Sequence, residues 1–396
     1  MALLFTILFL SFNLKDLIEE AKSNNLEIIS ARYEALSKNY VKSYITALPD
    51  PSFGLGYRKT PEFFIRQKIP FPSKLKNLGE SAALQIDYYR YSLAIKEAEI
   101  ISDLKSKYYE LWYLYQERRA LDELLNILSD LERSADALYR LDRTDLQSVI
   151  RTRVERELTL AKLSFINSEI SRVIAHLSYI TAKERKDGWD LVADQRVEPY
   201  FIDLDDIREI AIRNSPFIGI QLISSKISEF ELEYEKLSYV PDLVLSFDTM
   251  MGAPAFFVEI EIPIWFWKNQ KNRVLEKQKN LLSSQSLYES EKLRILSTVE
   301  SLKNTINSFY EFSVAYAKAI EQTYAAFESA KASWMLGKSP FSDVIDLLVL
   351  LYNYKIDLAN KIYLNRAYTA ELEKYLGLEI EKLVSPGQMK KEVQKP

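Results

Sequence analysis

The sequence predicts a mainly α-helical protein with a small β part, built from long coiled-coil helices and two β-hairpins. Two stretches, 49–72 and 241–267, alternate apolar and polar residues with the period of two that is typical of strands. The segments around them carry apolar residues at the three- and four-residue spacing of amphipathic helices. Only 9 glycines occur among the 396 residues, which also favours a mostly helical chain.

The chain begins with a short apolar run, residues 1–12, that resembles the central part of a secretory signal peptide. The alternatives are a buried first turn of helix and a mis-assigned start codon. A helical pattern follows from residue 13 to about residue 48, where Pro49 ends it.

Two hairpins are predicted, each with an apolar face and a face that carries charged residues. The first has strands at about 52–58 and 62–69, joined by a Lys-Thr-Pro turn. The second has strands at about 243–251 and 255–262, joined by a Gly-Ala-Pro turn. Each strand is about as long as a tilted strand that crosses a membrane.

A very long helix, a chain reversal and another helix follow each hairpin. In the first long helix, Leu104, Tyr108 and Leu111 belong to a coiled-coil seam. Thr144 and Ser339 are the predicted N-caps of the helices that follow the reversals. The helices are predicted at 73–139, 144–182, 204–240, 269–334 and 340–377.

The order helix, hairpin, long helix, reversal and helix occurs twice, which indicates an internal duplication. Residues 204–214 align without a gap with residues 14–24. The predicted divisions are 13–182 for the first repeat, 183–203 for the linker, 204–378 for the second repeat and 379–396 for a disordered tail.

Composition argues against several classes of function. The net charge of -4 disfavours a nucleic-acid partner, and the absence of cysteine excludes disulfides and thiolate metal sites. The single histidine, His176, has no second metal ligand nearby in sequence and is expected to fill space in the core or at the surface. No catalytic residues, metal site or cofactor site are predicted, and the chain is not expected to be an enzyme. No run of 18 apolar residues predicts a transmembrane helix.

The hairpins require neighbours from other chains if they lie in lipid. Four strands cannot close a barrel, and an open edge in lipid leaves backbone groups unpaired at a cost of several kcal/mol each. Three copies would supply about twelve strands, enough for a pore-forming barrel. The alternative is a soluble, elongated coiled-coil protein, such as a periplasmic adaptor or scaffold, whose hairpins are protein-contact tips. The apolar face of all four strands favours the barrel.

Three short motifs accompany the repeated elements. Prolines precede each hairpin, Gln67–Lys74 and Glu261–Ile264 follow the hairpins, and Trp334–Gly337 is followed by Ser342–Asp346. In this order and spacing the chain resembles the TolC family of outer-membrane efflux channels over about residues 13–378. The Pro-Asp-Pro and Gln-x-Ile-Pro-Phe-Pro-x-Lys details are most similar to the branch of that family that serves heavy-metal exporters.

The resemblance implies a homotrimer with a twelve-stranded β-barrel in the outer membrane of a Gram-negative-type cell and an α-helical barrel in the periplasm. It implies a passive exit duct of a tripartite efflux or type I secretion system, in contact with outer-membrane lipid. A periplasmic adaptor protein and an inner-membrane transporter would recruit the duct and deliver small molecules, metal ions or drugs to it.

The resemblance also implies a periplasmic gate near the second reversal. It places Asp343 and Asp346 at the closed tip, where a trimer would hold six carboxylates that attract cations. A simpler role for Asp343 is a favourable interaction with the dipole of the helix N-terminus. Arg151 or Lys338 is expected to bridge to an aspartate and hold the tip shut, unless both are solvated surface charges. Trp334 is expected at the constriction or in the core.

Five charged strand residues are predicted to face the water-filled lumen of the barrel. Basic residues that faced lipid would cost roughly 2–4 kcal/mol each near the midplane. These side chains serve structure first and ion selectivity second. They are Arg66, Lys68, Asp248, Glu259 and Glu261.

Overall fold

The computed structural model describes residues 13–57, 61–141, 145–184, 189–203, 206–250 and 253–380. The predicted signal peptide and nearly all of the predicted tail lie outside these residues. Among the helices that are described, no segment has the length and apolar character that crossing a membrane requires.

Helices make up most of the described chain, and the predicted fold class is confirmed. The two long helices extend without a break, because no proline or glycine with positive φ interrupts their pattern. The α-helices are α1 (Leu14–Asn24), α2 (Leu26–Lys38), α3 (Val41–Ile45), α4 (Pro72–Arg140), α5 (Leu146–Thr181), α6 (Ile207–Asn214), α7 (Pro216–Lys236), α8 (Gln270–Met335) and α9 (Phe341–Leu376).

The structure corrects two predicted continuous helices, each of which breaks at a buried polar residue. The helix predicted from residue 13 to 48 breaks first at Asn25, whose backbone is extended with φ −62° and ψ 123°. The Asn25 side chain is buried and donates a 2.8 Å hydrogen bond to the carbonyl of Ile180. In the second repeat, buried Ser215 is the N-cap before Pro216, which has no backbone N–H to continue the preceding helix.

The four strands form one antiparallel sheet in the order β1-β2-β3-β4. Their bounds lie within two residues of the predicted ones where the chain is described. Pairing of β2 with β3 joins the two hairpins, with Ile65 opposite Phe247 and Ile69 opposite Leu243. The strands are β1 (Ser52–Tyr57), β2 (Pro61–Ile69), β3 (Asp242–Met250) and β4 (Ala253–Glu261).

The chain forms two units, and each combines segments from both predicted repeats. Among the described residues, one contains 13–26, Glu97–Glu209 and 298–380. The other contains Glu27–Lys96 and Ile210–Ser297, including the sheet.

The core of the first unit follows the predicted coiled-coil seam. Leu104, Tyr108 and Leu111 of α4 are buried, at the alternating spacing of four and three that brings side chains to one helix face. They belong to one apolar cluster with a row of α5 residues. That row consists of Leu163, Ile166, Ile170, Val173 and Leu177.

Two asparagines hold the extended end of the predicted linker against the helices. The side chain of Asn365 in α9 accepts from the backbone N–H of Tyr200 at 2.7 Å and donates to its carbonyl at 2.9 Å. The side chain of Asn307 in α8 makes the same pair of bonds to Ile202, at 2.8 and 3.0 Å. The end of the linker is therefore a tethered part of the fold, and the linker also contains a 3₁₀ helix at Trp189–Asp194.

Candidate functional site

The reversal between α8 and α9 is a helix C-cap closed by a left-handed glycine. Gly337 has φ 72°, and its N–H donates to the Trp334 carbonyl at 2.8 Å. The N–H of Lys338 donates to the Ser333 carbonyl at 2.9 Å. These two bonds define a Schellman motif, which satisfies the last carbonyls of the helix and sends the chain back.

Replacing Gly337 with alanine is expected to lower the free energy of unfolding by about 1 kcal/mol, because an L-residue is strained at positive φ. No atom would contact the added Cβ, so the cost comes from the backbone alone. Chemical denaturation followed by circular dichroism measures it. Gly337→Asn is the matched control, since asparagine tolerates this conformation; an equal loss in both variants would contradict the explanation.

The N-caps at the two reversals differ from the predicted ones. Thr144 lies outside the described residues, and Asp145 caps α5 instead by accepting from the backbone N–H of Ser148 at 2.9 Å. Bonds from the Ser148 hydroxyl and N–H lower the pKa of the Asp145 carboxyl. At the second reversal, Pro340 occupies the N-cap position, and the Ser339 hydroxyl donates to the Ala330 carbonyl at 3.3 Å.

An apolar cluster packs beneath the reversal. Trp334 is 8% exposed, and its ring centroid lies 4.7 Å from that of Phe341 at the start of α9. Val344 and Ile345 are buried in the same cluster. Trp334 therefore occupies the core position that was one of its two predicted environments.

The acidic residues predicted for the gate lie on the exposed side of α9. Asp343 and Asp346 are three positions apart, so they share a helix face. Arg151 of α5 donates a hydrogen bond to the carboxylate of Asp346 within one protomer. The side chains of Arg151 and Asp346 are 38% and 59% exposed, so the pair contributes about 0–1 kcal/mol to stability.

The other two charged residues predicted for the gate, Asp343 and Lys338, form no ion pair with each other. Asp343 lies in the first turn of α9, where the helix dipole favours a carboxylate, and it accepts from the Ser342 hydroxyl at 3.3 Å. Lys338 is exposed and forms no ion pair with any residue that the structure describes. The carboxylate of Asp343 and the ammonium group of Lys338 can therefore bind groups of another molecule.

Sequence reasoning missed a polar link between α4 and α9 near this cluster. Glu123 of α4 accepts from Tyr352 at 3.2 Å and from Lys355 at 3.1 Å. Burial raises the pKa of Tyr352 to about 12, so the hydroxyl remains a donor at neutral pH. These residues are more than 220 positions from Glu123 in sequence, and no local pattern connects them.

The sheet has one exposed apolar face. Directly paired residues share a face, so the register identifies its members. Most of these side chains are more than a third exposed, among them Leu55 at 77% and Phe256 at 83%. Its large apolar side chains are Phe53, Leu55, Tyr57, Phe63, Ile65, Ile69, Leu243, Leu245, Phe247, Phe256, Val258 and Ile260, and the polar residues Gln67 and Thr249 lie on the same face.

The five strand charges predicted to face the lumen all lie on the opposite face. Lys68 contacts Glu261 at 2.6 Å, although the two residues belong to different hairpins. Glu259 accepts from the Ser246 hydroxyl at 2.8 Å. Arg66 lies over an aromatic ring, with its guanidinium carbon 5.1 Å from the ring centroid of Phe64.

Two features of this face were not foreseen. The ring of Phe64 lies across Gly54, where an added Cβ would come within 2.3 Å of the ring. A larger residue at this position of β1 would therefore displace the Phe64 ring. At the helix end of the sheet, buried Lys74 contacts Asp242 at 2.7 Å and donates to the Val240 carbonyl at 2.8 Å.

Within the described ranges, no group of three or more histidine or acidic side chains is arranged to hold a metal ion. His176 contacts Asp103, with 2.8 Å between Nε2 and a carboxylate oxygen, on a partly exposed helix surface.

Sequence comparison finds TolC proteins, while no protein-family model matches the chain. Outer membrane protein TolC of Escherichia coli (strain K12) is 28% identical over 116 residues, which cover 29% of this chain and 24% of the relative. TolC of Salmonella enteritidis is 20% identical over 274 residues, covering 60% and 55%. The matches thus span about a quarter and about half of the length of these curated relatives.

Solved structures share the fold over more than nine-tenths of the chain. A structure of CusC, described in terms of folding and transmembrane channel formation, has a TM-score of 0.80 at 14% identity and covers 92% of both chains. The outer-membrane channel OprN has a TM-score of 0.79 at 14% identity, covering 92% of this chain and 89% of its own. The open-state MtrE channel of Neisseria gonorrhoeae has a TM-score of 0.79 at 13% identity, covering 93% and 89%. The resemblance stated from the sequence is confirmed.

Proposed function

We propose that this protein is a passive exit duct in the outer membrane of a Gram-negative-type cell. The chain shares its fold with outer-membrane channels and part of its sequence with TolC. The observation that carries this proposal is the sheet, whose apolar face is exposed and whose opposite face carries the charges. Such a sheet is suited to lipid on one side and water on the other.

Three copies complete the barrel. β1 and β4 each pair with one other described strand, so each protomer offers two free edges that another copy can pair. β2, β3 and β4 have 9 residues each, or about 30 Å of strand. At a tilt of about 45° these strands cross most of an apolar band that is about 25 Å tall. The homotrimer then has about twelve strands, with its apolar face toward outer-membrane lipid.

The five strand charges line the lumen of this barrel. Lys68 and Glu261 neutralise each other across the hairpins, while Arg66 and Asp248 form no ion pair among the described residues. The unpaired charges remain available to tune the passage of ions.

The tip of the helices is the periplasmic gate. Asp343 and Asp346 in three protomers place six carboxylates around one axis, where they favour cations. Arg151 holds Asp346 within each protomer, and Lys338 bridges to an aspartate of the neighbouring protomer. Trp334 stiffens the reversal through its contact with Phe341.

A passive duct needs other proteins to supply cargo and energy. A periplasmic adaptor and an inner-membrane transporter, as in tripartite efflux or type I secretion systems, are the partners that the likeness to TolC supports. Small molecules, metal ions or drugs are the cargo.

The first test is the location and mass of the full chain. Separation of inner and outer membranes followed by mass measurement in detergent is expected to give a trimer in the outer-membrane fraction. A water-soluble monomer or dimer would overturn the barrel and favour the elongated scaffold.

Neutralising Asp343 and Asp346 together as asparagines is expected to lower the cation-over-anion permeability ratio of the channel in planar bilayers to below 1, because the carboxylate ring is removed while Arg151 and Lys338 keep their positive charges. Arg151→Gln is expected to raise the fraction of time spent open, because Asp346 loses its partner. Asp130→Asn is the control, since Asp130 forms an ion pair with Arg133 and both residues lie on α4. An unchanged ratio in the double variant would contradict the gate.

A further inference from the structure

The turn after β4 displays three consecutive aromatic side chains to solvent. Trp265, Phe266 and Trp267 are 69%, 49% and 52% exposed. The backbone beneath them is held by hydrogen bonds, from Lys268 N–H to the Trp265 carbonyl at 3.1 Å and from Lys271 N–H to the Phe266 carbonyl at 2.9 Å. We name residues 265–271 the aromatic turn. Its side chains are exposed on an ordered backbone, so their exposure is a property of the fold.

The aromatic turn lies at the end of the sheet where the strands meet the helices. Asp242 at the start of β3 pairs with Glu261 at the end of β4, so residues just before β3 and just after β4 are neighbours. The contact between Tyr239 and Phe266, with ring centroids 6.4 Å apart, brings a fourth aromatic side chain to the same place. The sheet is thus bordered at this end by an aromatic cluster.

Two positive charges belong to the same turn. Lys268 and Lys271 are exposed and form no ion pair with any residue in the described ranges. The turn after β2 differs, because it has one aromatic residue, Phe71, and its Lys74 is buried against Asp242. Free ammonium groups beside exposed indole rings are therefore a property of the second hairpin alone.

We propose that the aromatic turn is a lipid-binding site, with its aromatic side chains at the head-group level of the periplasmic leaflet and its two lysines on anionic phospholipid head groups. Tryptophan suits this depth because its ring is apolar and its N–H is polar. Lysines near a membrane surface attract anionic lipids. The site lies at the end of the sheet where β4 leaves it, and the proposal rests on the proposed location of that sheet in the outer membrane.

The five tryptophans of the chain make a direct test possible. Trp112, Trp189 and Trp334 are at most 8% exposed, so only the aromatic turn presents indole rings to lipid. The full-length trimer is reconstituted in phosphatidylcholine vesicles that contain a minor fraction of brominated phosphatidylglycerol or, separately, brominated phosphatidylcholine. Bromine quenches tryptophan emission on contact.

Strong quenching is expected, and it should be lost in Trp265→Phe/Trp267→Phe and kept in the control Trp112→Phe. At low salt the anionic lipid should be enriched around the turn by up to about 30-fold over phosphatidylcholine, the factor that corresponds to two lysines near a membrane surface at about 1 kcal/mol each. Lys268→Gln/Lys271→Gln should abolish this enrichment and keep the quenching by phosphatidylcholine.

A trimer that inserts and is not quenched would overturn the lipid site and leave the channel intact, since a second copy of the chain would then cover the turn. Equal quenching by both lipids would overturn the role of the lysines. A chain that never inserts would overturn the lipid site and the proposed channel together.

Discussion

Replacing Asn365 with leucine is expected to lower the free energy of unfolding by about 2–5 kcal/mol, since burying polar groups without partners costs about 1–3 kcal/mol each. Asn365 is fully buried in the middle of α9. Its amide group bonds to both backbone groups of Tyr200, and it also donates to the carbonyl of Ile306 at 2.9 Å. Leucine has a similar size and cannot make any of these bonds.

The measurement is denaturant unfolding of the solubilised protein, followed by circular dichroism. Asn304→Leu is the matched control, because Asn304 lies one turn before Asn307 on α8 and is exposed. The control is expected to change the midpoint little. If Asn365→Leu and the native protein had the same denaturation midpoint, the hydrogen bonds between Asn365 and the linker would not stabilise the fold.

Replacing Glu373 with glutamine is expected to lower the free energy of unfolding by about 2 kcal/mol, between the roughly 0–1 kcal/mol of an exposed ion pair and the roughly 3–5 kcal/mol lost when one partner of a fully buried pair is removed. Lys105 and Glu373 are 2.6 Å apart, and their side chains are 13% and 12% exposed. The second carboxylate oxygen accepts from the N–H of Ile380 at 2.8 Å. Without the negative charge, the partly buried ammonium group of Lys105 keeps only a weaker partner.

Arg133→Gln is the comparison, because the pair of Arg133 with Asp130 is 79% and 72% exposed and should contribute about 0–1 kcal/mol. The double variant Lys105→Met/Glu373→Leu should recover most of the stability lost in Glu373→Gln, because no unpaired charge remains. If Glu373→Gln and Arg133→Gln lowered the free energy of unfolding equally, burial would not strengthen the ion pair of Lys105 with Glu373.

Local patterns in the sequence predicted the elements of the fold because those patterns are physical requirements. Leu104, Tyr108 and Leu111 recur with the period that a helix needs in order to bury one face. Alternation in the strands predicted which residues share a face, since successive side chains point to opposite sides. Gly337 marked a reversal because a helix end often requires positive φ.

Long-range polar contacts could not be predicted in this way. An asparagine such as Asn365 is usually expected at an exposed position of a helix. Its partner Tyr200 is 165 residues away in the sequence. The contact of Lys68 with Glu261 depends on β2 pairing with β3, which neither hairpin specifies alone. The pairing of Arg151 with Asp346, rather than with Asp343, depends on how α5 and α9 are aligned.

The unpaired edges of β1 and β4 bear on how the protein is made. If three copies assemble as proposed, each newly synthesised chain first presents two strand edges, and any extended peptide can pair with them. Correct assembly and aggregation both become faster as protomers accumulate, so a higher rate of synthesis does not by itself give more finished protein. A chaperone that occupies strand edges is expected to raise the yield, and its supply would limit how quickly a cell can make the protein.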